Sequence, residues 1–214
     1  GSITGAMEIL EEMTPQEDRR REFVEIVQKE MSRLSTIVTR QLDLVRSSPQ
    51  ERAPCDLRRV VQSVTELAQR QAEQQNVEIL IEQDGELPAV EADEQGIRQA
   101  VLNLLINAIQ AMPDGGRIRV LAGSDSDRLR IVVEDEGPGL STEALEHAFD
   151  PFFTTKQHGT GLGLSIAFQI VDQHGGDLHA ENRPEGGARF VMDLPVLVTR
   201  DDKNPSPGND GGGP

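Results

Sequence analysis

The chain has 214 residues, 36% of them hydrophobic and 27% charged, a composition typical of a folded soluble protein. Its net charge of −16 argues against a nucleic-acid partner, because contacts to a phosphate backbone require a basic face. Aromatic residues make up only 3%, with no Trp or Tyr, so the core is expected to be aliphatic.

Residues 1–48 are predicted to form a helical hairpin, with helices over 1–12 and about 15–46. Thr14-Pro15 separates the two, since proline suits the first turn of a helix. In the longer helix, apolar residues recur mostly at alternating spacings of three and four, the pattern of a helical bundle: Val24, Val27, Met31, Leu34, Val38 and Val45. The alternative is an ordinary core helix of a single domain. Ser47-Ser48-Pro49 ends the pattern and marks a predicted domain boundary.

Residues 49–198 are predicted to form an α+β domain, a two-layer α/β sandwich whose one sheet is covered by helices on one face. Helical patterns cover about 56–75, 94–112 and 161–174. Strand patterns cover 77–81, 117–121, 129–133, 177–180 and 189–194. Residues 199–214 are polar and rich in Gly and Pro, which is typical of a disordered tail or linker.

Two asparagines, Asn103 and Asn107, lie four residues apart on the helix predicted over 94–112 and therefore share one face. Asparagine is uncommon in an apolar helix unless it has a polar partner. The pair indicates a polar ligand or a metal ion, and an amide oxygen suits Mg²⁺ bound to substrate phosphates. The alternative is a pair of capping or core hydrogen bonds.

A carboxylate followed by two glycines, Asp135-x-Gly137-x-Gly139, comes soon after the strand predicted over 129–133. Glycine on both sides of Pro138 indicates a fixed turn whose backbone lies close to something flat. The carboxylate can accept a hydrogen bond from the exocyclic amine of a base. In isolation, a carboxylate at a strand end is as often a simple turn former.

The segment after this turn contains three phenylalanines, Phe149, Phe152 and Phe153, followed by Lys156. Phenylalanines on a loop are unfavourable unless they dock, so we expect them to anchor a hinged lid. Lys156 would then reach phosphate as a point charge. A hydrophobic plug without a ligand role would also account for the phenylalanines.

A second glycine cluster, residues 159–164, opens the helix predicted over 161–174. Its three glycines let backbone N–H groups approach phosphates closely at the start of a helix. A glycine cluster led by an acid, followed by one that opens a helix, is what a nucleotide site requires.

Four motifs, in this order and spacing, resemble the N, G1, F and G2 boxes of sensor histidine kinases: Asn103…Asn107, Asp135-x-Gly137-x-Gly139, Phe149…Phe153 and Gly159-Thr160-Gly161-Leu162-Gly163-Leu164. These kinases belong to the wider GHKL group, with gyrase, the heat-shock chaperone ATPases and the mismatch-repair ATPases. Two segments, 107–112 (Asn-Ala-Ile-Gln-Ala-Met) and 152–156 (Phe-Phe-Thr-Thr-Lys), are most similar to the nitrogen-regulation branch of these kinases. The resemblance covers about residues 49–196 and implies a Bergerat-type ATP-binding fold.

The resemblance also implies the function of a catalytic domain that binds ATP and Mg²⁺ and transfers the γ-phosphoryl group to a histidine. Asp135 would bind the adenine amino group, Asn107 would coordinate Mg²⁺, and residues 159–164 would bind phosphates through backbone N–H groups. The implied binding residues are Asn103, Asn107, Asp135, Gly137, Gly139, Phe152, Thr155, Lys156, Gly159, Thr160, Gly161, Leu162, Gly163 and Leu164. The implied partners are a response regulator receiver domain and, in the full-length protein, a second copy.

The phospho-acceptor box of these kinases, a histidine and an acid before Asn-Pro-Leu, has no counterpart in this sequence. The four histidines all lie outside the predicted hairpin: His147, His158, His174 and His179. We therefore assign no catalytic residue and interpret residues 1–48 as a truncated dimerisation hairpin without its acceptor histidine. The chain is predicted to bind ATP without phosphorylating itself on the usual histidine.

Two smaller departures concern the nucleotide site. Many of these kinases carry a lysine and an aromatic residue where Gln110 and Ala111 stand, which leaves phosphate neutralisation to Lys156 and Mg²⁺. Ala188 stands where a hydroxyl is frequent, so one hydrogen bond near the adenine is expected to be missing.

Two other functions compete with the kinase interpretation. A hydrolytic ATPase of the same group would carry a glutamate where Asn103 stands, and an amide cannot take up a proton at neutral pH. A nucleotide-independent scaffold for a response regulator would not need intact glycine boxes. Sustained ATP turnover would favour the ATPase, and a lack of ATP binding would favour the scaffold.

The location is expected to be cytoplasmic. The single cysteine, Cys55, leaves no partner for an intrachain disulfide, which fits a reducing compartment. The sequence contains neither a stretch long and apolar enough for a membrane span nor a signal peptide, so any anchor of the full-length protein would lie outside these residues.

Overall fold

The computed structural model describes residues 52–83, 85, 87–88, 90–125, 127–156 and 160–196. The predicted hairpin over 1–48 and the predicted tail over 199–214 lie outside these ranges. Within them, no helix combines the length with the apolar composition that a membrane crossing requires.

Within the described residues, seven strands form two sheets: β1 (Ala53–Cys55), β2 (Val77–Gln83), β3 (Val90–Ala92), β4 (Gly116–Ser124), β5 (Arg128–Asp135), β6 (Asp177–Asn182) and β7 (Ala188–Pro195). β1 and β3 make a small antiparallel pair, and the other five make one sheet in the order β2-β4-β5-β7-β6. β2 runs parallel to β4, whereas every other neighbouring pair in this sheet is antiparallel. In the central register, Val133 on β5 lies between Val120 on β4 and Phe190 on β7.

Four helices complete the described fold: α1 (Leu57–Gln74), α2 (Glu94–Gln110), α3 (Thr142–His147) and α4 (Gly163–Gln173). Asp56 and Asp93 are the N-cap residues of α1 and α2. Their carboxylates accept hydrogen bonds from backbone N–H groups of the first turn, which stabilises each helix start. Buried residues of α1, α2 and α4 join the inward-facing residues of the sheet in one apolar core. The three helices therefore cover a single face of the sheet.

The opposite face of the sheet, which we call the outer face, carries ion pairs, and none of the described helices covers it. Its central row alternates in charge across four strands, from Arg119 through Glu134 and Arg189 to Glu181. Each neighbouring pair in this row makes a salt bridge of 2.7–3.1 Å. Glu134 lies at the centre and is only 3% exposed. Neighbouring charges of opposite sign stabilise these cross-strand pairs.

The predicted α+β sandwich is confirmed, and each of the three helices and five strands predicted for this region is present. The helices end within one or two residues of the predicted bounds, and the strands extend by up to three residues. Three elements are absent from the prediction, namely β1, β3 and α3. They have three, three and six residues, which is too short for a periodic pattern to mark them.

Candidate functional site

A cleft of about 870 Å³ opens between α2, the end of β5, the loop after α3 and the start of α4. It brings together most of the binding residues predicted from the sequence: Asn103, Asn107, Asp135, Gly137, Gly139, Thr155, Lys156, Thr160, Gly161, Gly163 and Leu164. Phe152 and Leu162, although predicted, do not line it. Gly159 lies outside the described residues.

One end of the cleft, which we call the carboxylate end, is formed by Asp135, Gly137, Gly139 and Ala188. Asp135 is the last residue of β5 and is only 1% exposed. Its Oδ1 accepts hydrogen bonds from the N–H groups of Gly137 at 2.9 Å and Ala188 at 3.1 Å. Within the described residues, no hydrogen bond uses Oδ2. The carboxylate therefore has one oxygen fixed by backbone and one available as an acceptor.

Burial raises the pKa of Asp135, and this outweighs the opposing influence of its two N–H donors and of the nearby Lys156 and Arg183 charges. The carbonyl of Asp135 is held as well, because Arg183 Nη1 donates to it at 2.8 Å. Asp135 is thus bonded through both its side chain and its backbone.

The turn between β6 and β7 approaches β5 very closely at Gly187. This residue has φ +87°, and a Cβ there would overlap the Asp135 carbonyl oxygen, so only glycine fits. A second link ties the turn after β5 to the end of β6, because Asn182 Oδ1 accepts from Leu140 N–H at 2.7 Å. Asn182 Nδ2 also donates to Leu140 O at 2.8 Å. The carboxylate end is therefore held by both β6 and β7.

The other end of the cleft, which we call the lysine end, is formed by Asn107, Lys156, Thr160, Gly161 and Gly163. Lys156 Nζ donates to Asn107 Oδ1 at 2.7 Å and also lies 3.1 Å from Asn107 O. Gln110 Oε1, one helical turn on, is 3.3 Å from the same ammonium group. Burial lowers the pKa of Lys156 to about 8, against the attraction of Asp135. Asn107 therefore already presents its amide oxygen to a cation.

Asn103 lies one turn before Asn107 on α2 and lines the same cleft. Its Oδ1 accepts a hydrogen bond from Gln99 Nε2 at 3.0 Å. Its Nδ2 is buried and has no hydrogen-bond partner among the described residues. A buried donor without a partner is costly, so this amide has an unused donor for a ligand in the cleft.

The start of α4 supplies backbone donors at the lysine end. Leu162 is the N-cap residue and makes no side-chain capping bond, and no acidic residue occupies the first turn. Gly163 and Leu164, the first two residues of the helix, line the cleft. Free N–H groups and the positive end of the helix dipole make such a terminus attractive to anions.

The phenylalanines of the loop after α3 do dock against the fold, but each one makes a different contact. Phe149 packs against the core, and its ring centroid lies 5.5 Å from that of Phe168 on α4. Phe153, rather than Phe152, lines the cleft. Phe152 has φ +68°, and its N–H donates to Gly161 O at 2.9 Å. This bond ties the loop to the glycine turn before α4.

Several apolar residues that line the cleft were not predicted: Ile106, Met112, Leu140, Ala144, Ala148 and Phe190. Ile106 lies on α2, Ala144 on α3 and Phe190 on β7. Met112 and Ala148 follow α2 and α3, and Leu140 lies in the turn after β5. Together they give the cleft a partly apolar wall. No motif marks them, because apolar residues in a helix or strand equally indicate a core position.

The described histidines are away from this chemistry. His174 uses both ring nitrogens, with Nδ1 2.7 Å from Ile170 O and Nε2 accepting from Asp93 N–H at 3.0 Å. It links the end of α4 to the N-cap of α2. His147 and His179 are half-exposed and pair with the nearby carboxylates of Asp150 and Asp177. None of these three lines the cleft.

Comparison with known proteins gives the same fold. The family described as histidine kinase-, DNA gyrase B-, and HSP90-like ATPase matches residues 92–198, which is half of the chain. The catalytic domain of histidine kinase ThkA superimposes with a TM-score of 0.62 at 37% identity, over 68% of this chain and 97% of that one. ThkA in complex with the response regulator protein TrrA gives 0.64 at 31% identity, over 90% of this chain and 56% of that one.

Among curated proteins, sensor histidine kinase ZraS of Escherichia coli O157:H7 is 34% identical over 201 residues. The match takes in 94% of this chain but only 44% of ZraS. The chain thus spans less than half the length of this relative.

Proposed function

Because this chain belongs to the histidine kinase-, DNA gyrase B-, and HSP90-like ATPase family, we propose that its cleft binds ATP with Mg²⁺ for transfer of the γ-phosphoryl group to a histidine. It would be the catalytic part of a longer two-component sensor kinase acting in the cytoplasm. The observation that carries the proposal is that Asp135, Asn107, Lys156 and the start of α4 all face one cleft.

At the carboxylate end, Asp135 would bind the adenine. Its Oδ1 is already taken by two backbone N–H groups, which fixes the plane of the carboxylate. The remaining acceptor suits the exocyclic amine of adenine, whereas the carbonyl oxygen of a guanine or hypoxanthine would place acceptor against acceptor. Gly137 and Gly139 leave room for a flat ring against the backbone.

At the lysine end, Asn107 would hold Mg²⁺ and Lys156 would move to the phosphates. The hydrogen bond of 2.7 Å from Lys156 to Asn107 Oδ1 supports this, since the same oxygen already faces a cation. No cluster of three or more His, Cys, Asp or Glu that could hold a metal occurs among the described residues. A metal at Asn107 would therefore need phosphate oxygens and waters to complete its shell, as Mg²⁺ commonly has in nucleotide sites. When bound, the ion neutralises phosphate charge.

The start of α4 would bind the phosphate chain through backbone N–H groups. Gly161, at φ +67°, turns the chain into the helix, and the N-cap makes no competing side-chain bond. The unused Nδ2 of Asn103 is a further donor next to the start of α4, where a Cβ on Gly163 would lie 4.0 Å from the Asn103 side chain. These donors suit a polyphosphate because none of them requires a net positive surface, which a chain of charge −16 lacks.

Transfer would go to a histidine that this sequence does not contain. Of the described histidines, none lines the cleft, and His174 already uses both ring nitrogens within the fold. The response regulator receiver domain and the second copy predicted from the sequence remain proposed partners of the longer protein. The structure of ThkA in complex with response regulator protein TrrA supports the first of these.

The test is calorimetric titration with ADP, ATP and GTP, each with and without Mg²⁺, followed by incubation with radiolabelled ATP. We expect ATP and ADP to bind more tightly than GTP, binding to strengthen with Mg²⁺, and no acid-labile phosphohistidine to form on this chain. Sustained hydrolysis of ATP would instead favour a hydrolytic ATPase of the same fold. A failure of every nucleotide to bind would overturn the proposal and leave a scaffold.

A further inference from the structure

We infer that Arg183, on the outer face of the sheet, is a positioning residue that fixes how Asp135 presents its free oxygen to a purine base. The inference rests on the proposed role of Asp135 in adenine binding. It assigns specificity to a residue that does not line the cleft.

The first observation is the position of Glu134, the residue before Asp135. Successive strand residues face opposite sides of a sheet, so Asp135 faces the cleft while Glu134 faces outward. Glu134 is nevertheless buried, because three arginines surround its carboxylate: Arg119 at 3.1 Å, Arg189 at 2.7 Å and Arg183 at 3.7 Å. The residue before Asp135 is therefore held by ion pairs on the face of the sheet opposite the cleft.

The second observation distinguishes Arg183 from the other two arginines. Its Nη1 donates to the carbonyl of Asp135 at 2.8 Å, while its Nε lies beside Glu134. Its side chain is only 12% exposed. That Nε is buried without a hydrogen-bond partner among the described residues, so the guanidinium is placed to suit the Asp135 carbonyl rather than Glu134. Arg183 thus contacts the backbone of Asp135 directly, whereas Arg119 and Arg189 bond Glu134 and carboxylates of neighbouring strands.

The third observation concerns the turn that carries Arg183. Arg183 N–H donates to Gly187 O at 3.0 Å, which closes the turn between β6 and β7. The next residue, Ala188, donates its N–H to Asp135 Oδ1. The same turn therefore supplies one bond to the carbonyl of Asp135 and one to its carboxylate. If the Arg183 bond is lost, the turn keeps its contact at Gly187 but loses its side-chain bond to the Asp135 carbonyl. A small shift of the turn then changes both the plane of the carboxylate and the direction of Oδ2.

A shift of this kind would act on base discrimination before it acts on binding as a whole. The amine of adenine must meet Oδ2 at hydrogen-bond distance, and a displacement of about 1 Å loses most of such a bond. Inosine nucleotides carry a carbonyl in place of that amine and gain nothing from Oδ2. Misplacing the carboxylate therefore weakens ADP much more than IDP.

The experiment measures dissociation constants of ADP and IDP by calorimetry for the wild type, Arg183→Met and the control Arg130→Met. Arg130 also makes an outer-face ion pair, with Asp193 at 2.7 Å, but it lies near the other end of β5. We expect the wild type to prefer ADP by at least about tenfold and Arg183→Met to lose about three- to tenfold of that preference, mostly through ADP. Arg130→Met should keep the wild-type preference. Arg183→Lys, which keeps the charge but not the planar fork, should recover part of it.

The outcomes separate this inference from the proposed function. If the wild type binds ADP but Arg183→Met keeps its preference, or weakens ADP and IDP by the same factor, the positioning role is wrong and the adenine site stands. If the wild type does not distinguish ADP from IDP, both the positioning role of Arg183 and the adenine-binding role of Asp135 are wrong. Should Arg183→Met fail to fold, Arg183→Lys takes its place, with the preference and the amide chemical shift of Ala188 as readouts. An unchanged preference and an unmoved Ala188 signal would then overturn the inference.

Discussion

The two ends of the cleft differ in how firmly their polar side chains are held and in the part of a nucleotide that each would bind. At the carboxylate end, Asp135 accepts three hydrogen bonds, one at its carbonyl and two at Oδ1. The donors lie at the start of β7, in the turn between β6 and β7 and in the turn after β5. At the lysine end, the main contact joins a loop residue, Lys156, to a helix residue, Asn107. Reading a flat base needs one atom held in one place. Holding a flexible polyphosphate needs donors and charge, which still bind after a small displacement.

The largest effect on stability should come from replacing by alanine the glycine that contacts another backbone segment at each end of the cleft. Gly187→Ala combines a φ of +87° with overlap of a carbonyl in the central sheet, so we expect a loss of about 4 kcal/mol in unfolding free energy. Gly161→Ala has a similar φ of +67°, but its overlap is with the Phe152 backbone in a loop. The loop can move, so about 1–2 kcal/mol is expected. Urea denaturation measures both.

Gly186→Ala is the matched control for this pair, because its φ is +99° but a Cβ there has nothing within 4 Å. It isolates the backbone strain, for which about 1 kcal/mol is expected. A loss at Gly161→Ala equal to that at Gly187→Ala would contradict the view that the lysine end is the more adaptable one.

Next in size is Asp135→Asn, which should weaken ADP by about 100-fold in calorimetry. The amide oxygen can keep the two backbone N–H bonds, so its NH₂ group would then face the amine of adenine, donor against donor. Asp193→Asn, which weakens an outer-face pair instead, should leave ADP affinity unchanged. An Asp135→Asn variant within threefold of the wild type would mean that the free oxygen does not read the base.

A smaller loss, about tenfold for ADP with Mg²⁺, is expected for Asn107→Ala. The variant removes one protein ligand of a metal that the phosphates would still hold, so part of the affinity remains. Binding of adenosine, which has no phosphate, serves as the internal comparison and should be unaffected. Equal losses for adenosine and ADP would show that Asn107 shapes the whole cleft rather than the lysine end.

The smallest effect is the pH dependence of base recognition. Because burial raises the pKa of Asp135, its protonation begins at a higher pH than for an ordinary aspartate. A protonated Oδ2 donates instead of accepting, so ADP affinity should fall progressively as the pH is lowered from 7. The acid form could donate to the carbonyl of IDP, whose affinity should not fall. Parallel profiles for ADP and IDP would point to another titrating group.

The elements that the sequence predicted are those with a clear period or with their own turn residues. Alternating apolar residues marked β4, β5 and β7, and their outward charges fell where the alternation put them. The parallel pairing of β2 with β4 could not be read in this way, because β3 and α2 intervene along the chain. Pairing across such a connection depends on packing rather than on any local signal.

In the candidate site, too, the residues predicted correctly are those with a local sequence signal. Asp135 and Asn107 stood out because polar residues in apolar elements need partners, and the structure brings both to one cleft. Phe152 and Phe153 could not be told apart, since the φ of +68° that distinguishes Phe152 is a property of the folded loop. Arg183 carried no signal, because its contact with Asp135 spans 48 residues and depends on strand register.

The two faces of the sheet are expected to respond differently to heating. The helix-covered face is held by apolar burial, whose contribution per unit area levels off as temperature rises. The outer face is held by the network around Glu134, and removing charges from water becomes less costly in hot solution. Near the melting temperature, β5 would therefore depend more on the arginines that surround Glu134 than it does at room temperature.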